Sequence, residues 1–277
     1  MSSNSARSPS TPSPTGIDPA RHDRVLDADS PAWLRILLAL AAFLILAPLA
    51  LSGSTAEYAF MRFINQPAQQ NELLDYLVHA FSYQKLITGV PLVAGICAIW
   101  CMPSMITRRG DILICTIAAF VTSLVSRVMQ IFIPDNPRPL QDQALAMTPP
   151  LDISPEFHDF TSFPSDHAAV FIGLAYVIWR LCRPLGIIAL VFAVLVSFSR
   201  AYMGFHFATD IIAGGLLSVI VIELALLTPF RRLGAGMAGF SRTHPQWFYP
   251  LAFVGCYAIA TLMEEPRELL GGLAGLI

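Results

Sequence analysis

The sequence predicts an all-α fold, a polytopic bundle of transmembrane helices with six core spans and a seventh candidate span near the C-terminus. First, 55% of the 277 residues are hydrophobic and only 13% are charged, whereas soluble domains carry roughly 25% charged residues. Second, apolar runs recur with about the 20-residue length that crosses the hydrocarbon core of a bilayer. Third, short connections that alternate in arginine content separate these runs.

The chain begins with a polar segment, residues 1–30, which is rich in Ser, Pro, Asp and Arg. Such a composition buries too little apolar surface to offset the entropy of ordering, so a disordered cytoplasmic tail is expected. The first apolar run, residues 32–51, is longer than the apolar region of a signal peptide. It is therefore predicted to be an uncleaved first span.

The further spans are predicted from later apolar runs, at 85–102, 111–133, 166–182, 185–199, 208–228 and, as the seventh candidate, 247–263. Residues 31–230 form the expected membrane domain, and 231–277 are expected to hold a C-terminal loop and the extra span. Between the first two spans, apolar residues recur at helical spacing, which predicts a short helix on the membrane surface. These residues are Leu73, Leu74, Leu77, Val78 and Phe81.

The short loops predict the orientation, because Lys and Arg are retained on the cytoplasmic side. With a cytoplasmic N-terminus, every basic cluster falls on that side: Arg21, Arg24 and Arg35, then Arg108 and Arg109, then Arg180 and Arg183, then Arg231, Arg232 and Arg242. The loops that carry the polar motifs described below then face the opposite, extracytoplasmic side.

Composition also excludes some partners. A formal net charge of -2 leaves no basic face for nucleic acid. The five cysteines lie in or beside apolar runs, where cysteine usually acts as a small hydrophobic residue. Neither a disulfide framework nor a metal site is expected, and no cofactor is predicted.

The connection between the fifth and sixth spans, S-R-A-Y-M-G-F-H-F-A-T-D, places polar residues at a membrane boundary. If the sixth helix begins near Phe205, His206 and Asp210 share one helix face. The carboxylate then fixes the imidazole tautomer and leaves the other ring nitrogen available as a nucleophile or ligand. An intramembrane hydrogen bond that only ties helices together remains an alternative for this pair.

The stretch F-P-S-D-H-A, residues 163–168, begins the fourth span. Proline is favoured at a helix start, Ser165 is a suitable N-cap, and the free amides of the first turn form an anion site. His167 lies at that site. A capped helix with an interfacial histidine is the alternative if this block is taken alone.

A third block, D-N-P-R-P, follows the third span and holds the backbone extended around Arg138. Guanidinium groups grip phosphate oxygens in a bidentate manner. Arg138 and Arg200 map to the same side as His167 and His206. This set predicts phosphoryl transfer without metal, in which one histidine attacks and the other protonates the leaving oxygen.

These residues resemble the type-2 phosphatidic acid phosphatase superfamily, whose pattern is K-x(6)-R-P, P-S-G-H and S-R-x(5)-H-x(3)-D. The third block is matched in full, the second by Pro164, Ser165 and His167, and the first by Arg138 and Pro139. The resemblance implies that His206 forms a phosphohistidine, that Asp210 orients it and that His167 is the general acid. It also implies that the phosphate is held by Arg138, Arg200, Ser165 and the amide of Asp166.

Two positions depart from the family pattern. The lysine position is Ile131, and Arg127, one turn earlier on the same helix face, is the expected substitute, with adjacent Gln130 as the alternative. Asp166 replaces the motif glycine, and its carboxylate is expected to turn away from phosphate and contact an arginine or substrate hydroxyls. Below Asp210, Gly214 and Gly215 predict close helix packing.

The leading functional hypothesis is hydrolysis of a lipid phosphate or diphosphate at the periplasmic face of the inner membrane. A polyprenyl diphosphate such as undecaprenyl diphosphate is the first substrate considered, with phosphatidic acid or phosphatidylglycerol phosphate next. The alternatives are a lipid phosphotransferase that uses the same site and a non-catalytic protein that binds or transports anions. The sequence leaves the oligomeric state open.

Overall fold

The computed structural model describes residues 31–133, 136–152 and 161–262, and within these ranges the chain forms helices and no strands. The predicted tail at 1–30 lies outside the described residues. The helices are α1 Ala32–Leu51, α2 Thr55–Asn65, α3 Glu72–Tyr83, α4 Lys85–Thr88, α5 Val90–Cys101, α6 Arg109–Phe132, α7 Asp166–Leu181, α8 Arg183–Tyr202, α9 Ala208–Ala225, α10 Thr228–Thr243 and α11 Pro245–Ala260.

Helix α7 is the centre of the bundle and packs against α5, α6, α8 and α9. Its sequence, DHAAVFIGLAYVIWRL, is apolar around nearly its whole circumference, which is typical of a helix enclosed by others. Leu174, Ile178, Ile112 and Ile222 are almost fully buried members of the core at its contacts with α6 and α9.

The outer helices present apolar side chains to their surroundings. Helix α1 packs along α9, yet its Leu44 and Ile45 are 61% and 69% exposed, and Ile188 on α8 is 67% exposed. An apolar exterior on helices of this length is favourable in lipid and unfavourable in water. The chain is therefore a multi-pass membrane protein.

The number of spans remains a prediction. Four helical stretches have the length and apolarity to cross a membrane, 32–51, 103–132, 183–202 and 208–225, and a pair bent by 79° at residues 72–101 makes up to five among the described residues. Helices α7 and α11 have 16 residues each, so length does not establish the predicted six or seven spans. The predicted loop after residue 230 is instead helix α10, which packs against α6.

One end of the bundle holds a buried ion-pair network. Glu223 of α9 is 0% exposed and accepts hydrogen bonds from Arg35 Nη2 at 2.8 Å and from the Tyr176 hydroxyl at 2.6 Å. Arg180 Nε lies 3.1 Å from the same carboxylate. Of the predicted cytoplasmic arginines, Arg108, Arg109, Arg180 and Arg183 lie at this end, because α6 starts here, α7 ends here and α8 starts here.

Candidate active site

The polar motifs meet at the opposite end of the bundle. There α6 and α8 end while α7 and α9 begin. The loop that follows α6 is joined to the turn between α8 and α9 by a hydrogen bond from Leu140 N to Gly204 O, at 2.9 Å. Gly204 has φ +72, and a Cβ there would lie 2.9 Å from Leu140 Cβ. A residue without a side chain is therefore needed at this junction.

His206 lies in the turn before α9 and is 1% exposed. Its Nδ1 is 2.9 Å from the backbone carbonyl oxygen of Ser162, which fixes that nitrogen as the protonated one. Asp210 Oδ2 is 3.8 Å from Nδ1, too far for a hydrogen bond. The expected direct hydrogen bond to Asp210 is thus replaced by one to Ser162, and Asp210 Oδ2 instead accepts from Phe207 N at 2.8 Å.

The second ring nitrogen of His206 is the one left available in the site. Nε2 is buried and has no hydrogen-bond partner among the described residues. Burial, together with the positive charges of Arg138 and Arg200, lowers the pKa of His206 to about 4 against the opposing effect of Asp210. The ring is therefore neutral near pH 7 and carries a free lone pair on Nε2.

The N-terminus of α7 contributes the predicted anion site. The Ser165 side chain accepts from Ala168 N at 3.3 Å, so it is the N-cap as predicted. Ser165 N donates to Asp210 O at 3.0 Å. The start of α7 is thereby attached to the first turn of α9, and His167 stands in the first turn of α7.

Two arginines border the site. Arg138 is 9% exposed, and its Nη1 donates to Phe205 O at 2.8 Å. Arg200 Nη1 donates to Ser82 Oγ at 3.1 Å, and its guanidinium carbon lies 4.3 Å from the centre of the Phe205 ring. Both guanidinium groups are held in place by protein atoms before any ligand binds.

The two departures from the family pattern meet in space. Arg127 Nε lies 2.8 Å from Asp166 Oδ2, so the carboxylate contacts an arginine as expected. Ile131 is 62% exposed, which places the motif's lysine position on the outer face of α6. Gln130 does not face the phosphate site as a cation substitute would, because its Nε2 donates to Pro164 O at 2.7 Å.

Sequence reasoning missed three residues that hold the site: Ser82, Ser126 and Ser162. Ser126 Oγ donates to Pro164 O at 2.8 Å, and the other two contact Arg200 and His206 as described. Serines in apolar helices and loops carry no distinguishing pattern. Only Ser126 could have been found from the sequence, because it lies four residues before Gln130 and therefore on the same face of α6.

One group of side chains has the spacing of a metal site. Among the described residues, Asp166, His167 and His206 each offer a ligand atom within 4.8 Å of the other two. Both oxygens of Asp166 are already engaged, Oδ2 by Arg127 and Oδ1 by His167 Nδ1 at 3.0 Å. Arginines surround the group and repel a cation. The donor set therefore fits an anion better than a metal ion.

The fold and the site together define the class of protein. A buried neutral imidazole, a second histidine at a helix N-terminus and flanking guanidinium groups, at one end of an apolar helical bundle, make a site for a phosphate group attached to a lipid. Residues 112–233 match the family model of the PAP2 superfamily. The chain belongs to this superfamily and is a membrane lipid phosphatase of the PAP2 type.

Individual proteins are similar over much of the chain. The bacitracin transport permease protein of Bacillus licheniformis is 26% identical over 159 residues, which cover 57% of this chain and 73% of that protein. An undecaprenyl-diphosphatase of Sulfolobus acidocaldarius is 27% identical over 175 residues, covering 61% and 77% respectively. The crystal structure of a PAP2-type phosphatidylglycerolphosphate phosphatase of Bacillus subtilis is 25% identical, covers 69% of this chain and 93% of its own, and has a TM-score of 0.46.

Proposed function

We propose that this chain hydrolyses a polyprenyl diphosphate through a phosphohistidine at His206, on the extracytoplasmic side of the membrane. The observation that carries the proposal is the state of His206 Nε2, which is buried and lacks a hydrogen-bond partner among the described residues. An unsatisfied buried acceptor is costly. Such an acceptor is retained where a ligand atom will bind to it. Here that atom is the phosphorus of the substrate.

The reaction has two steps. His206 Nε2 attacks the terminal phosphorus, a P–N bond forms, and the bond from phosphorus to the bridging oxygen breaks while His167 gives that oxygen its proton. Water then attacks the phosphorus of the phosphohistidine, His167 takes a proton from the water, and the P–N bond breaks, which releases inorganic phosphate and returns His206 to its neutral form. Arg138, Arg200 and the first amides of α7 stabilise the equatorial oxygens in both steps. Asp210 contributes negative charge 3.8 Å from His206 Nδ1, which favours the positively charged phosphohistidine.

The relatives support the substrate class. One similar protein is named an undecaprenyl-diphosphatase, and another is named for the transport of bacitracin. The apolar exterior of the bundle leaves a prenyl chain in the bilayer while the head group reaches the polar end. Phosphatidic acid and phosphatidylglycerol phosphate are the competing substrates.

The placement of arginines supports the extracytoplasmic face. Helix α6 begins at Arg109, beside Arg108, and its last turns contact the start of α7 in the site. Its 24 residues span about 36 Å at helical rise, so the arginine-rich end and the site lie on opposite faces of a bilayer. The positive-inside rule then assigns the site to the outer face.

An anion transporter is disfavoured by the other end of the bundle. Glu223, Arg35 and Arg180 satisfy one another there, and Glu223 is 0% exposed. A transport route through α7 and α9 would have to open this network. Among the described residues, no feature favours transport over hydrolysis.

The test is phosphate release by purified protein in detergent, with undecaprenyl diphosphate, phosphatidic acid and phosphatidylglycerol phosphate, all in EDTA. His206→Ala should lower the rate by a factor of about 1,000 or more, because the nucleophile is lost. His244→Ala, which removes an exposed histidine, should stay close to wild type. A phosphorylated lipid product without free phosphate would indicate phosphotransfer, and loss of activity in EDTA would contradict the metal-independent mechanism.

A further inference from the structure

Asp166 stands where the family pattern has glycine, and its carboxylate lies at an anion-binding helix N-terminus. A free carboxylate there would repel a phosphate group. Asp166 is 3% exposed, so water does not screen its charge. The charge must be compensated by protein groups, and the structure shows which ones.

Each oxygen of Asp166 has its own partner. Oδ2 lies 2.8 Å from Arg127 Nε, and Oδ1 lies 3.0 Å from His167 Nδ1. Oδ1 also accepts from the backbone N–H of His167 at 2.9 Å. The carboxylate therefore bridges a cation on α6 and the imidazole of the predicted general acid.

Arg127 is itself held by α6. Its Nη1 lies 3.4 Å from Gln130 Oε1, and Gln130 Nε2 donates to Pro164 O at 2.7 Å. Pro164 immediately precedes the N-cap of α7. The arginine, the glutamine and the start of α7 are thus fixed relative to one another.

We infer that Arg127 and Asp166 form, with His167, a positioning relay that holds the general acid in its reactive orientation. Asp166 fixes the proton on Nδ1, so Nε2 of His167 is the nitrogen that delivers a proton to the leaving oxygen. Arg127 fixes Asp166 and cancels its charge. In this chain the pair takes the place of the lysine and glycine of the family pattern, and the inference rests on the proposed phosphatase function.

His167 takes up a second proton from solvent when the negatively charged substrate binds beside it. It then transfers the Nε2 proton to the bridging oxygen as the P–O bond breaks, and the neutral ring keeps the Nδ1 proton in its hydrogen bond to Asp166. The carboxylate is not protonated during the step. Its contribution is orientation and stabilisation of the positively charged ring, as in other acid–base histidines paired with a carboxylate.

The first arm of the test compares two substrates that carry the same prenyl chain, farnesyl monophosphate and farnesyl diphosphate. The monophosphate expels an alkoxide, which needs a proton, whereas the diphosphate expels a phosphate ester that is stable as an anion. Asp166→Asn should lower kcat for the monophosphate by about 100-fold with little change in KM, because general acid catalysis contributes about that much. For the diphosphate, the loss in kcat should be about tenfold or more smaller than the loss for the monophosphate.

Asp111→Asn is the matched control. Asp111 lies near the start of α6, is buried, and accepts two hydrogen bonds from Arg231, at 2.9 Å and 3.0 Å. This variant removes an arginine–carboxylate pair of the same kind at the other end of the helix. Asp111→Asn should not change the ratio of kcat for the monophosphate to kcat for the diphosphate. Equal losses on both substrates in Asp166→Asn would overturn the relay.

Coupling between the two partners gives a further check. If Arg127 acts through Asp166, the double variant Arg127→Gln with Asp166→Asn should lose no more monophosphate activity than Asp166→Asn alone. Multiplied losses would show that the two residues act separately, and the relay would be wrong.

The second arm of the test does not depend on catalytic activity. In protein labelled with ¹⁵N-histidine, the His167 ring signals are identified by their loss in His167→Gln. Wild type should show a protonated, hydrogen-bonded Nδ1, and Asp166→Asn should move that signal. An unmoved signal would refute the relay even in an active protein. Failure of wild type to release phosphate would instead refute the proposed function, since this arm tests the relay independently.

Discussion

The close contact of α7 and α9 gives the sharpest mutational prediction, at Gly214. A Cβ at this position would lie 2.4 Å from the backbone carbonyl oxygen of Ser165 and 3.1 Å from Ala169 N. Both obstructing atoms belong to the backbone of the first turn of α7, which cannot rotate away. The predicted close helix packing at this glycine is therefore confirmed.

The magnitude follows from the same distances. Ordinary van der Waals contact begins at 3.4 Å, so Gly214→Ala must push the start of α7 away by about 1 Å. Ser165 and His167 move with it, and a misplacement of about 1 Å in catalytic groups costs about 100-fold in rate. The overpacking itself should cost about 1–3 kcal/mol of stability, partly offset by the higher helix propensity of alanine.

The assay is kcat/KM for phosphate release in detergent, together with the thermal unfolding midpoint. Gly215→Ala is the matched control, because a Cβ there meets only side-chain atoms of Ile172, at 3.3 Å and beyond. Gly215→Ala should remain within a few-fold of wild type. A Gly214→Ala variant as active as Gly215→Ala would refute the argument that this contact positions the site.

Two other predictions concern buried charge. Glu223→Gln leaves Arg35 and Arg180 without their shared carboxylate and should cost about 3 kcal/mol of unfolding free energy. This loss should be seen as a fall of several degrees in Tm. Glu72→Gln, at an exposed position, is the control, and an equal Tm in the two variants would contradict the prediction. Since burial holds the pKa of His206 at about 4, its ¹⁵N ring signals, assigned by their loss in His206→Ala, should remain those of a neutral imidazole as the pH falls from 7 to 5. Protonation and loss of the nucleophile follow only near pH 4, and a transition near pH 6.5 would show that desolvation is weaker than the structure indicates.

Much of the architecture was predictable because the signals are local. The span 32–51 coincides with α1, and the predicted surface helix is α3, Glu72–Tyr83. The apolar length and the helical spacing that indicate such elements lie within one segment of sequence. The segment after residue 230 was wrongly predicted as a loop, since α10 is polar on average and is stabilised by packing against α6.

The sequence predicted which residues lie together at this end of the bundle, but it predicted their contacts less well. The hydrogen bond expected between His206 and Asp210 assumed that both lie on one helix, but α9 begins at Ala208. His206 is therefore in a turn, and its Nδ1 meets the carbonyl of Ser162, 44 residues away in sequence. Similarly, Arg200 is held by Ser82 across 118 residues. No local sequence pattern predicts hydrogen-bond partners that are this far apart in the chain.

The sequence by itself determined that the protein lies in a membrane as a helical bundle, and it singled out the imidazole, guanidinium and carboxylate groups that meet at one end of that bundle. It did so because burial in lipid restricts ionisable residues to those with a function. Only the tertiary structure decided which atoms face one another: Ser162 rather than Asp210 on His206, and Arg127 on Asp166. Hydrogen bonds and ion pairs are set within fractions of an ångström, and that precision arises only when helices distant in sequence pack in one register.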